Sequence, residues 1–210
     1  ILAILIWFVF QMIYFAVVTA TSIAPDEVYH YKLSLIWQAA HGLDIADTIQ
    51  SYHLGALSRA PYLYHWLMGL LLNLNFFDFQ PLNFMRGINV LVGIANFWIT
   101  WKFLKIATDN PFVRISVLLT LASTLMFVFL SGMISYDNLV FFLAGATFYF
   151  LAKFIQGRAL RDLAILLCIA MIGCLVKITF LPLALLVALC CLWVGRKNIF
   201  KMASWVSFRN

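Results

Sequence analysis

Six blocks of the chain are almost wholly apolar: Leu2–Ala20, Ile88–Ile106, Ile115–Leu130, Leu139–Ile155, Leu163–Val176 and Thr179–Val194. Each is close to the roughly 20 residues that a helix needs to cross a hydrocarbon core of about 30 Å. Polar residues collect between the blocks, and the longest such stretch is Ser22–Arg86. The pattern predicts membrane-spanning helices joined by short turns, with one long loop after the first span. Inside that loop, "PYLYHWLMGLLLNLNFF" (Pro61–Phe77) is only 17 residues long and holds His65, Asn73 and Asn75. Its polar residues and Pro61 suit the headgroup region, so an interfacial or re-entrant helix is favoured; the alternative is a full crossing, which would move Lys32 and Arg59 to the opposite side.

Composition agrees. The 210 residues are 65% hydrophobic and 10% charged, against about 45–50% and 25% in soluble domains. The expected class is an all-α polytopic membrane protein, one transmembrane domain over 1–210 with the 22–86 loop outside. The first block is too long for the apolar part of a signal peptide and lacks a small-residue cleavage pattern, so it is read as a retained helix. The chain opens on Ile1 and is expected to be part of a longer protein. The four cysteines, Cys168, Cys174, Cys190 and Cys191, lie within apolar blocks and indicate neither a disulfide framework nor a zinc site.

The net charge of +6 reflects asymmetry between the loops, not nucleic-acid binding. Ten of the Lys and Arg residues fall on one side of the spans, from Lys102 to Arg209. Four (Lys32, Arg59, Arg86 and Lys177) fall on the other. By the positive-inside rule the ten-residue side is cytoplasmic. The 22–86 loop, Asp137 and Lys177 would then share the extracytoplasmic face.

Candidate chemistry concentrates there. "IAPDEVYHYK" places Asp26, Glu27 and His30 where the chain leaves the first span. Pro followed by two acids is also an ordinary helix start, and both readings stand. The helix is expected to run to about Ala40, with Tyr29, Leu33, Ile36, Trp37 and Ala40 on an apolar stripe. Glu27, His30, Ser34, Gln38 and His41 form the polar stripe. A carboxylate at the membrane edge sheds part of its hydration, which suits a general base. Asp137 and Asn138, in "SGMISYDNLVFF", open the fourth span, where an N-cap is the plain reading. Lys177, in "GCLVKITFLP", lies in a hairpin too short for two full crossings, and a lysine between apolar helices marks a function by default. Arg59 and Arg86 stand at the same boundary, where headgroup anchoring is the simpler role. His30, His41, His53 and His65 all lie in the long loop, without the spacing of a zinc helix.

The order of these motifs resembles the GT-C superfamily of membrane glycosyltransferases, which includes protein mannosyltransferases and aminoarabinose transferases. "PDEVYH" after a first span, "RAPYLYHWL", "FMRGINVL", "ISYDNLVFFLAGATFYFLAKF" and "GCLVKITFLPLALL" follow in that order. The resemblance implies a helical bundle with juxtamembrane helices in the first outer loop, and membrane lipids around it. It also implies a polyprenyl-phosphate sugar donor, a glycan, lipid or protein acceptor, and inversion at the anomeric carbon. Asp26 would be the catalytic base, with Glu27 and His30 tuning it, while Arg59, Asp137 and Lys177 bind substrate. The metal ligands are unknown: no cofactor is named, and a divalent metal is left open. The competing classes are a transporter or lipid-binding membrane protein with a polar outer-face site, and a non-catalytic member of the superfamily.

Overall fold

A computed structural model describes residues 1–21, 23, 24, 26–40 and 62–207, with side chains through Val194. Every regular element among them is helical: α1 (Leu2–Val18), α2 (Glu27–Ala40), α3 (Leu63–Leu72), α4 (Pro81–Ala107), α5 (Pro111–Ser123), α6 (Leu125–Gly132), α7 (Tyr136–Gly157), α8 (Leu160–Val176) and α9 (Leu181–Ser207). A short 3₁₀ turn, Ile178–Phe180, joins the last two.

The starts and stops follow local chemistry. Pro81 and Pro111 open α4 and α5 at a position where no N–H is missed. The Asn110 side chain also accepts from the Phe112 N–H at 2.9 Å. Ser135 caps α7, its hydroxyl accepting from the Asp137 N–H at 3.2 Å. The expected cap pair of Asp137 and Asn138 is thereby corrected: both lie inside the first turn, and Asn138 is fully buried. Its side chain donates to the Asn89 carbonyl at 2.7 Å and accepts from Asn96 at 2.8 Å. Asn138 thus ties α7 to α4, the polar contact between helices that an apolar medium favours.

α4 and α7 form the central pair, with α8 against α7, α1 against α4, and α3 against α2. Phe8, Met12, Phe97, Leu118 and Val128 fill one core among α1, α4, α5 and α6. A second core, with Tyr64, Met68, Met85, Ile134, Val176 and Phe180, lies beneath the loop helices.

By length and composition α4 and α7 can each cross a membrane, and α5 with α6 makes a third if taken as one span. The single straight span expected over Ile115–Leu130 is corrected. α5 and α6 meet at Thr124 with a 62° bend. Carbonyls freed at the break find partners: Gln11 of α1 donates to the Ala122 carbonyl at 3.0 Å, and the Thr124 hydroxyl donates to the Thr120 carbonyl at 2.8 Å. α1 has only 17 residues, roughly 25 Å of helix. α3 has 10 residues, about half a crossing. It lies on α2 instead.

α2 buries part of both stripes: Glu27, His30 and Ser34 of the polar one, and Leu33 and Trp37 of the apolar one. Leu33 and Trp37 form a small core with Tyr29, Ile36, Tyr62 and Trp66, while the buried polar groups find partners within the protein, as an apolar surrounding favours.

Candidate active site

Four stretches of chain converge on Arg86. It is 2% exposed, in the first turns of α4. Its Nε donates to Glu27 Oε1 at 2.8 Å and its Nη2 to Glu27 Oε2 at 2.7 Å, a bidentate pair. Nη1 donates to the Ala16 and Thr19 carbonyls, both at 2.8 Å, at the end of α1. Glu27 Oε1 also accepts from the Ile134 N–H at 3.1 Å. Arg86 therefore fastens the end of α1, the start of α2 and the connection into α7. Glu27, expected beside Asp26 as a catalytic carboxylate, has no exposed surface. The expectation that Arg86 anchors headgroups is also corrected, because its guanidinium is consumed within the protein.

Asp26 is the residue before α2, and its carbonyl accepts from the His30 N–H at 2.9 Å. Its φ is +58°, in the left-handed region where Asp, Asn and Gly are the residues least strained. The result is a division between neighbours: Glu27 turns into the protein and Asp26 stays exposed.

Around Asp26 lies a cluster of polar groups. His30 Nδ1 is 2.9 Å from His65 Nε2, joining α2 to α3. The His30 ring meets Tyr136 edge to face, with centroids 4.4 Å apart. Lys177 Nζ sits 4.3 Å from the centroid of the same tyrosine and 2.5 Å from Asp137 Oδ1. Asp26, Asp137 and Lys177 all act electrostatically on His30. Burial is the main influence there and pushes His30 down to about 4, with Asp26 and Asp137 opposing and Lys177 adding to the shift. Burial likewise pushes His65 down to about 3. Both rings are neutral near pH 7.

Of the residues singled out in the sequence, the structure gathers Asp26, His30, Asp137 and Lys177 at one end of the bundle. Arg59 lies outside the described residues, as do His41 and His53. Tyr136, His65 and Arg86 were not assigned to the site. Arg86 left a signal: Arg86, Asn89, Gly93 and Asn96 recur at spacings of three and four, one polar or small stripe along α4. Among the described residues no group of three or more His, Cys, Asp or Glu side chains is placed to hold a metal ion.

In this all-α membrane protein the charged groups gather where several helices end. Residues 59–208 match the family described as dolichyl-phosphate-mannose-protein mannosyltransferase, and the chain belongs to that family. It is a membrane glycosyltransferase of the GT-C type. No curated protein and no solved structure matches the chain.

Proposed function

We propose that the protein transfers a sugar from a polyprenyl-phosphate donor to a hydroxyl acceptor on the extracytoplasmic face, with inversion and with Asp26 as general base. The observation that carries this reading is the exposed Asp26 carboxylate grouped with the Lys177 ammonium around His30. The family match begins at residue 59, so the role of Asp26 rests on that geometry.

In the reaction, a carboxylate oxygen of Asp26 takes the acceptor's proton while the acceptor oxygen attacks the anomeric carbon. The bond from that carbon to the phosphate oxygen breaks on the opposite side, and polyprenyl phosphate leaves with the electron pair. Lys177 has three N–H donors. One is held by Asp137 and a second by Tyr136, and the third can meet the charge that grows on the departing phosphate. Glu27 and Arg86 hold the backbone that presents Asp26.

The test is Asp26→Asn. Asn tolerates the left-handed backbone, so the fold is kept while the basic oxygen is lost. Transfer from a polyprenyl-phosphate sugar in nanodiscs should fall by about 10²–10⁴-fold. Near wild-type turnover would reduce "PDE" to a helix start.

A further inference from the structure

His65 has only one of its two ring nitrogens paired. Nε2 meets His30 Nδ1 at 2.9 Å, whereas Nδ1 is buried and has no hydrogen-bond partner among the described residues. Burial is nearly complete for both residues, at 3% exposure for His30 and 2% for His65. A neutral imidazole has one N–H and one lone pair. With the His65 proton on Nδ1, a buried N–H would be unpaired, the rarer of the two defects in folded proteins. With the proton on Nε2, only a lone pair is bare, and the N–H points at His30. His30 then accepts at Nδ1 and must carry its own proton on Nε2.

We infer that His65 is a positioning residue that donates Nε2–H to His30 Nδ1 and fixes the His30 proton on Nε2, leaving His30 a hydrogen-bond donor for an oxygen of the sugar-phosphate donor. His30 then has no free lone pair on either nitrogen. It cannot compete with Asp26 for the acceptor's proton, and it adds no second charge next to Lys177. Tyr29, Tyr64 and Tyr136 surround the two rings. They exclude water from the pair and hold its geometry.

What the donor acts on rests on the transferase reading, but the proton position does not, so the test has two arms. In full-length protein labelled with ¹⁵N-histidine in nanodiscs, the His30 resonances are assigned by their loss in His30→Gln. They should show protonation at Nε2 alone, and protonation at Nδ1 overturns the inference. In the kinetic arm, the Gln amide of His65→Gln replaces the Nε2–H donor and should keep both the proton position and near wild-type kcat. His65→Leu should lower kcat by about 10–100-fold with Asp26 untouched, the cost of a misoriented group. Equal kcat in His65→Leu and wild type, or a Gln variant as slow as the Leu variant, refutes the positioning role. If Asp26→Asn proves fully active while His30 is protonated at Nε2, the transferase mechanism fails and the proton assignment stands.

Discussion

Arg86→Met isolates the joint on which the end of the bundle carrying Asp26 depends. The substitution keeps an unbranched apolar stem of similar reach but leaves Glu27, which has no exposed surface, without its cation. Breaking one side of a buried ion pair costs about 3–5 kcal/mol. The Ala16 and Thr19 carbonyls also lose their donor, adding about 1 kcal/mol for each by the usual net value of a hydrogen bond. The sum, about 5–7 kcal/mol, is a large share of the roughly 5–15 kcal/mol typical of folded domains. Glu27→Gln in the same background removes the stranded charge and retains an acceptor for the Ile134 N–H, so the double variant should recover about half of the loss. Equilibrium unfolding in mixed micelles, followed by circular dichroism, measures all three. Where Arg86→Met does not accumulate, Arg86→Lys serves: it keeps the charge but loses the bidentate fork, and falls between Met and wild type. Arg86→Met within about 1 kcal/mol of wild type, the size of one net hydrogen bond, would refute the joint. So would a double variant no more stable than the single.

Lys177→Met should weaken polyprenyl-phosphate binding by the value of a charge-assisted contact, about 1.5–3 kcal/mol or roughly 10–150-fold. Because the Lys177–Asp137 pair is partly exposed, its loss should change stability by no more than about 1 kcal/mol; unchanged binding removes Lys177 from the site. For pH, burial lowers His30 to about 4 and His65 to about 3, while the unfolded chain takes up protons near 6.5. Their contribution is complete above about pH 6.5 and is lost progressively as pH falls from there through 4 and 3, at up to about 1.4 kcal/mol per pH unit per ring. Melting temperature should drop between about pH 7.5 and 5, and the His30→Gln/His65→Gln variant should flatten the curve. Gly69→Ala would put a methyl group 2.7 Å from the Gln38 nitrogen and 2.9 Å from the Ser34 oxygen, both backbone atoms of α2. The forced separation of α2 and α3 should cost about 1–3 kcal/mol in the same unfolding assay, and no loss would mean that the helices are not packed this closely.

How far the sequence revealed this arrangement depended on which property each residue's role required. The helices were legible because unbroken apolar runs have few alternatives, and the shortness of Pro61–Phe77 separated α3 from the spans. Lys177 stood out because a cation among apolar helices needs a partner. The division between Asp26 and Glu27 was hidden, since it depends on one backbone angle that two adjacent acids do not reveal. Arg86 was misread because depth is not encoded locally: its partners come from positions 16, 19 and 27. The bend at Thr124 was equally silent. No Pro or Gly marks it, and the Gln11 side chain that satisfies a freed carbonyl there lies 111 residues from it in the chain. His65 showed no pattern because its partner, His30, is 35 positions distant.

The left-handed turn at Asp26 restricts how this protein can diverge. Glu carries the same carboxylate, yet at position 26 its longer, unbranched side chain gains nothing from the local hydrogen bonding that eases Asp and Asn into this conformation, at a penalty of about 1–2 kcal/mol. The substitution that chemistry would tolerate is thus opposed by the backbone. Asn is the reverse case: it satisfies the backbone and removes the carboxylate proposed as the base. A descendant chain that gave up catalysis through Asp26→Asn would retain every helix and every buried ion pair, and could persist as a folded, lipid-embedded binding protein. On the proposed mechanism, the side chain at this exposed turn, not the integrity of the bundle, would separate enzymes from their silent copies.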